Sequence, residues 1–374
     1  MFTVNYKRVC HLTSVHPRYD TRIFLKECRS LVNVGYPVSL IVADGNGDEV
    51  KDAVSFFDVG VSKGRLHRIF NITRRVFEKA CELDCDIYHL HDPELIPIGL
   101  KLKRLGKIVI FDSHEDVPKQ LLGKPYLNKP VKWLLSKFVG IYESWACKRF
   151  DAIVTATPYI RDKFLAINSN TVDINNFPVL GELASVSNDW SQKHNEVCYV
   201  GGIAVVRGIR EIVLAMEQIK SGTCLKLGGS FSEKAVEAEV KAFSGWQHVD
   251  ELGWLDREGV RKTLNHAIAG LVTLHPIINY IDALPVKMFE YMSAGLPVIA
   301  SNFSLWREII EGNDCGLCVD PMNPTEIAEA IDFLVSNSVR AREMGENGQR
   351  AVYENYNWSI EEKKLINLYN ELGK

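Results

Sequence analysis

Residues 196–208 read EVCYVGGIAVVRG, and this stretch decides the fold. Five mostly apolar residues end in Gly201-Gly202, Arg207-Gly208 follow, and residues 210–219 then carry a helical period. A strand that runs through a glycine turn into a helix opens a Rossmann-like α/β unit. The chain opens one such unit earlier as well. Residues 7–13 (KRVCHLT) form a short apolar strand, and residues 21–34 repeat apolar or small side chains at Ile23, Phe24, Cys28, Leu31 and Val32. That spacing predicts a helix, which Gly35 and Pro37 stop.

Working outward, each opening begins an alternating series. After the first come strands at 38–43, 86–91, 107–112 and 151–155, with helices at 65–83 and 95–105. After the second come strands at 223–227 (closing on Gly228-Gly229), 249–254, 269–274 and 297–300. A helical region follows at 327–353, and a last amphipathic helix starts at Trp358. Alternation of this kind implies parallel sheets with helices on both faces. The expected architecture is α/β, two Rossmann-like doubly wound domains facing a cleft. They span 1–180 and 190–355, joined by the polar segment 175–193, with 356–374 packing back on the first domain. Ligands of such sheets sit beyond the carboxyl ends of the strands, which places the expected site between the domains.

The 374 residues hold 44 Lys+Arg against 47 Asp+Glu, a net charge of −3 that averages two unlike halves. Residues 1–185 carry 26 basic against 21 acidic side chains, and 186–374 carry 18 against 26. The N-terminus has no long apolar core and no small-residue cleavage site, so no signal peptide is expected. No apolar run is long enough to span a bilayer. Nine cysteines include one CxxC, Cys315 and Cys318, without the second pair a zinc ribbon needs. Reduced, mostly buried thiols and a cytoplasmic location are expected.

The most specific segment is residues 279–302, NYIDALPVKMFEYMSAGLPVIASN. Asp282 lies in a loop, and Glu290, with seven residues between the two, lies in a helix opened by Pro285. A helix start offers unpaired N–H groups to an anion or to sugar oxygens. Lys287 puts a cation in the first turn, against the helix dipole, a cost most readily tolerated where an anion docks. The segment resembles the signature of the family 4 glycosyltransferases of the GT-B fold: an acid, seven residues, a Glu, then small-Gly-x-Pro-Val-Ile, here 294–299. The family's first acid is usually Glu, so Asp282 is a departure.

The resemblance implies that Glu290 binds the ribose of a sugar nucleotide. Asp282 with the backbone of Ala283 and Leu284 then faces the donor sugar, and Lys287 the diphosphate. Gly201, Gly202 and Arg207 resemble the family's phosphate loop, although the basic residue usual at 202 is missing. Gly229 resembles the next strand end of the donor site. Trp254 and Leu255 resemble the loop that reads the base, and Glu308 fits a further acidic position. In the first half, His114 closes the strand in FDSHED and resembles the family's histidine at the reacting centre. His16, Asp20 and Arg22 sit at the first strand end as acceptor contacts; the turn lacks the Gly-Gly of many relatives, and Asp20 or Thr21 also suits a helix N-cap.

The implied activity is retaining transfer of a sugar from a UDP- or GDP-sugar to a polyprenyl-linked or other saccharide acceptor, with no metal and no cofactor. The setting would be cell-surface polysaccharide biosynthesis, of O-antigen or exopolysaccharide type. One alternative is a metal-dependent hydrolase, since His89 and His91 share a strand face and His114 could join them. Another is a non-catalytic sugar-nucleotide binding protein. Asp84-Cys85-Asp86 mimics a DxD metal motif but precedes its strand. Residues 117–150 hold seven Lys+Arg and only Glu143 as an acid. Val131, Leu134, Leu135, Phe138, Tyr142 and Trp145 fall on one helical face, a pattern suited to an anionic membrane surface on the inner face of the cell membrane. It suits equally a helix that covers a sheet. Nucleic acid is not an expected partner.

Overall fold

The computed structural model describes residues 6–123, 128–183 and 190–374. The chain divides into two compact units, one of residues 1–176 with 360–374, the other of 177–359.

The first unit is built on an eight-stranded sheet. Its strands are β1 (Val9–Leu12), β2 (Val38–Val42), β3 (Glu49–Lys51), β4 (Val54–Asp58), β5 (Ile87–Leu90), β6 (Ile108–Ser113), β7 (Ala152–Thr155) and β8 (Thr171–Asp173). Their order is β3-β4-β2-β1-β5-β6-β7-β8, and every pairing but β3–β4 is parallel. Strands β1, β5 and β7 are buried along their whole length, as their apolar runs require for a sheet covered on both faces. Sequence reading finds five of the eight strands; β3 and β8 are only three residues long, and β4 lacks the fully buried apolar run of the central strands. The helix Trp358–Leu372 belongs to this unit, and its Tyr369 is fully buried there.

The helix expected at 21–34 begins as a widened π-turn, Ile23–Cys28, before regular α-helix at Arg29–Asn33. Leu25 N–H bonds to Asp20 O and Glu27 N–H to Arg22 O, each five residues back. Such widening often marks a site where side chains are re-aimed. Here Arg22, Lys26 and Glu27 all point inward.

The second unit is a wholly parallel six-stranded sheet. Its strands are β9 (Glu196–Val200), β10 (Cys224–Gly228), β11 (Val249–Gly253), β12 (Ala269–Val272), β13 (Val298–Ser301) and β14 (Gly316–Val319). They are arranged β11-β10-β9-β12-β13-β14. Chain order reverses between β9 and β12, the point in an open sheet where a crevice forms at the strand ends. The helical region read as continuous over 327–353 is two helices, Pro324–Ser336 and Ser338–Asn355, broken at Asn337.

All nine cysteines are free. Burial raises both Cys315 and Cys318 to about 12, so they are protonated thiols that pack rather than react.

Candidate functional site

In the second unit the residues of the phosphate motif converge at the switch point. Tyr199, near the end of β9, turns its hydroxyl onto Gly202 O at 2.8 Å. Lys287, in the first turn of the helix Val286–Ser293, lies with Nζ 3.7 Å from the centre of the Tyr199 ring. Part of its stem reaches solvent, but Nζ itself is buried and has no hydrogen-bond partner. Burial, with the Arg207 guanidinium as a second cause, lowers this ammonium to about 7. The Tyr199 ring face offsets part of the cost of burying this cation without a hydrogen bond, and a bound anion would remove the rest.

Glycine is required at two points of this turn. Gly201 has φ +131°, and a Cβ there would stand 3.1 Å from Lys287 Nζ. Gly229, at φ +144°, comes so close to β9 that a Cβ would lie 1.9 Å from Gly201 O. Gly202 shows how the missing cation is replaced. A side chain there would start 3.0 Å from Arg207 Nη1, so Arg207 delivers its charge to the place where residue 202 would have placed one. Arg207 also reaches Gly202 O at 3.3 Å.

Glu290 is half-buried, and its Oε1 accepts from Arg257 Nη1 at 2.8 Å, while Arg257 Nε reaches Glu182 at 2.7 Å. Sequence reading missed Arg257 and Glu182, because a partner 33 residues away leaves no local signal. Trp254 stands 77% exposed beside β11, an aromatic face open to solvent, and Leu255 packs over Gly228. Asp282, Ala283 and Leu284 occupy the loop before the helix. One expectation is corrected there: the Ala283 N–H donates to Tyr280 O at 3.1 Å, and its carbonyl accepts from Trp306 Nε1 at 2.7 Å, so its backbone is already committed. Leu284, Val286 and Lys287 remain as backbone donors, while Met288 N–H is bonded to Pro285 O at 3.0 Å. Glu308 is exposed.

In the first unit the strand ends of β1, β5 and β6 gather a polar cluster. His114 Nε2 lies 2.9 Å from Asp112 Oδ2, and the ring is 21% exposed. His16 is half-exposed, 3.3 Å from Asp20 and 3.5 Å from Asp92, with its ring centre 5.1 Å from that of His114. Asp20 caps the π-turn, accepting from Arg22 N–H at 2.8 Å and Ile23 N–H at 3.0 Å. Burial opposes ionisation, but the His16 ring together with these two N–H groups holds its carboxyl well below the usual range.

Arg22 is a further correction. Read as an acceptor contact, it is only 3% exposed and fully engaged, donating twice to Asp112 (2.9 and 3.0 Å) and once to Ile174 O (2.6 Å). The π-turn aims it inward. The histidine grouping is corrected as well. His89 and His91 share a face with His11 and Glu27, whereas His114 groups with Asp112 on the far side of His91. His11, Glu27, Asp92 and Asp112 were not singled out from the sequence. The register that pairs His11 with His89 on neighbouring strands was the missing information.

The motif Asp84-Cys85-Asp86 serves structure: Asp84 binds Lys107 Nζ at 2.6 Å, and Asp86 accepts from Arg8 N–H at 2.7 Å.

The helix Lys129–Cys147 departs from the pattern of a sheet-covering element. Ser136, Glu143, Ala146 and Cys147 are its buried residues, while Trp133, Phe138 and Ile141 are 58%, 69% and 71% exposed. The aromatics therefore lie on the surface and not on a buried face, with Lys129, Lys137, Lys148 and Arg149 exposed among them. Lys124 lies outside the described residues.

Two sequence families match the chain: the glycosyl transferases group 1 over residues 182–351, and glycosyltransferase family 4 over residues 21–174. A phosphatidyl-myo-inositol mannosyltransferase of Mycobacterium leprae is 23% identical over 300 residues, covering 78% of this chain and 74% of its own length. Sucrose-phosphate synthase from Thermosynechococcus elongatus superimposes with a TM-score of 0.79 at 18% identity over 98% of this chain and 99% of its own. Anabaena HepE in complex with UDP-glucose gives 0.75 at 13% identity, over 98% and 100%. These matches set aside the hydrolase reading. With the phosphate turn and the acid-Glu helix in one unit and the histidine-bearing strand ends in the other, the chain belongs to the family 4-type glycosyltransferases of the GT-B fold.

Proposed function

We propose that the enzyme binds a UDP- or GDP-sugar on its second unit and transfers the sugar, with retention at the anomeric carbon and without a metal, to a saccharide acceptor carried on a lipid. The observation that carries this reading is the buried Lys287 ammonium, without a hydrogen-bond partner, at the Gly201-Gly202 turn beside Arg207. Arg207 opposes the Lys287 charge, and an anion bound beside both offsets that repulsion together with the cost of burial. A diphosphate supplies that charge, and as the leaving group it gains charge in the transition state, where aimed cations act most strongly. Glu290, steadied by Arg257, takes the ribose hydroxyls. Trp254 offers its face to the base, and Asp282 with Leu284 holds the sugar. On the first unit His114, set by Asp112, is the residue proposed for the reacting centre, and His16 and Asp20 are those proposed for the acceptor. The HepE structure with UDP-glucose, and a GDP-mannose-dependent relative 32% identical over 85 residues, support a nucleotide-sugar donor.

Thermal shift across UDP- and GDP-sugars tests this directly. A ligand held only by the folded chain raises the melting temperature. One donor series is expected to stabilise the enzyme by several degrees, and no response to any sugar nucleotide would overturn the reading.

The exposed apolar and basic face of Lys129–Cys147 supports work at an anionic membrane surface, in cell-surface polysaccharide synthesis. No helix among the described residues is long and apolar enough to cross a membrane. Replacing Trp133, Phe138 and Ile141 together by serine removes about three large apolar contacts of roughly 1.5–3 kcal/mol each. Partition onto vesicles with anionic lipid is expected to fall at least about a hundredfold. Transfer to a soluble acceptor analogue is expected to stay unchanged. Equal partition of wild type and variant would remove the membrane from the proposal.

A further inference from the structure

The most unusual chemistry outside the donor site lies under the sheet of the first unit. Strands β1 and β5 pair in register with His11 opposite His89, and His91 follows on the same face. The π-turn sends Glu27 into the same space. All four side chains are fully buried. Glu27 Oε2 stands 3.9 Å from each of three imidazole nitrogens, His11 Nδ1, His89 Nδ1 and His91 Nε2. His11 Nδ1 and His91 Nε2 are 2.8 Å apart, and one ligand atom from each of the four residues lies within 4.8 Å of the others. Neither oxygen of Glu27 accepts a hydrogen bond. Arg22 Nε comes within 3.1 Å of Oε1, but its donors are directed to Asp112 and Ile174. Burial pushes the Glu27 carboxyl up toward its neutral form although Arg22 stands beside Oε1, and Oε2, ringed by three imidazole nitrogens, faces no cation among the described residues; an ion bound there would hold the carboxylate ionised.

We infer that His11, Glu27, His89 and His91 hold a divalent transition-metal ion of the zinc class. Three imidazole nitrogens and one carboxylate oxygen are donors of the right kind, and four-coordinate zinc takes bonds of about 2.0–2.2 Å. Those bonds require donor–donor edges of about 3.4 Å. The edges of 2.8 Å between His11 and His91 and 3.9 Å from Glu27 to each histidine bracket this value, and the two edges from His89 to the other histidines lie within 4.8 Å, so shifts of up to about 1 Å close the shell. The surroundings match what metal-bound histidines need. His91 presents its other nitrogen to Asp112 Oδ2 at 3.3 Å, and Arg22 holds that carboxylate. Tyr369 OH lies 2.9 Å from His89 Nδ1 and 3.3 Å from His11 Nε2. The ion takes the His89 lone pair that now faces this hydroxyl, and Tyr369 keeps the His11 N–H as its donor.

The site is closed on every side, which is the form of a structural ion rather than a catalytic one. It ties together β1, the π-turn, β5 and, through Tyr369, the C-terminal helix Trp358–Leu372. Sugar transfer at the donor site makes no use of it.

The test is metal analysis of the tag-free full chain, dialysed against metal-free buffer, with and without refolding in zinc. About one zinc-class ion per chain is expected. The Glu27→Gln and His89→Gln variants are expected to retain less than about a tenth of it, and Cys315→Ser with Cys318→Ser all of it. Refolding the metal-stripped wild type with zinc should raise its melting temperature, and with cobalt should give the intense visible absorption of a four-coordinate site. That arm stands even if a variant fails to fold. Folded wild type carrying under about a tenth of an equivalent after refolding in zinc would overturn the inference, as would metal retained in folded His89→Gln.

Discussion

Replacing Lys287 with methionine is expected to abolish donor binding while making the ligand-free enzyme more stable. The two effects have one cause. In the folded chain burial brings the Lys287 ammonium to about 7, whereas in the unfolded chain it titrates near 10.4. Between these values the unfolded state binds the extra proton, so this group's contribution to stability rises with pH across that window. Below about pH 7 the folded chain carries the buried charge, and its penalty is fully present. At neutral pH the penalty is on the order of 3–4 kcal/mol, which methionine, similar in length and apolar, does not incur. Relief of that size corresponds to a gain of roughly 5–10 °C in melting temperature for the unit concerned. The gain should shrink toward pH 10.

Donor binding runs the opposite way. A diphosphate at Lys287 keeps the ammonium charged, so binding above pH 7 takes up a proton. Affinity of the wild type is therefore expected to fall about tenfold per pH unit above 7 until the bound form titrates. Calorimetry in two buffers of different ionisation enthalpy reads that proton directly. Wild-type affinity that ignores pH, or Lys287→Met binding as tightly as wild type, would remove Lys287 from the diphosphate.

The features legible in the sequence are those that local pattern determines. Buried parallel strands must be apolar, so β1, β2, β5, β6 and β7 and most of the second sheet stand out as short hydrophobic runs. The hairpin β3–β4 alternates weakly and has exposed residues, and it does not stand out. Lys287 and Glu290 lie three residues apart in one helix, within a motif whose spacing carries the chemistry. Arg257, Tyr199 and Asp112 become visible only when distant segments meet. The helix Lys129–Cys147 shows the limit most clearly. Its amphipathic period is plain, yet the face that turns inward carries Ser136, Glu143, Ala146 and Cys147. Glu143 can do so because Lys163 and Asp116, from other segments, complete an ion-pair chain of 2.6 and 3.0 Å. Periodicity fixes that a helix has two faces; only the partners decide which of them is buried.

The same logic makes Asp112→Ala the most destabilising single change expected in the first unit. Asp112 is fully buried and takes both hydrogen bonds of the Arg22 fork, with His114 at 2.9 Å on the same oxygen. Its removal strips the Arg22 charge of its two-pronged partner and leaves it Ile174 O and the neighbouring Glu27 carboxyl. Breaking one half of such a pair costs about 3–5 kcal/mol, whereas replacing both halves by apolar groups can be nearly neutral. Arg22→Met combined with Asp112→Leu is therefore expected to recover about half of the loss in urea denaturation; Glu27, 3.1 Å from Arg22, still loses a neighbour. A double variant no more stable than Asp112→Ala would show that the pair is not coupled as the geometry requires. Kinetics of the recovered variant then separate two roles for Arg22. If Arg22 acts only by fixing Asp112, and Asp112 by setting His114, kcat falls while the acceptor KM stays near that of the wild type. A raised acceptor KM with unchanged kcat would return Arg22 to the acceptor, where its place at the end of the first strand had first put it.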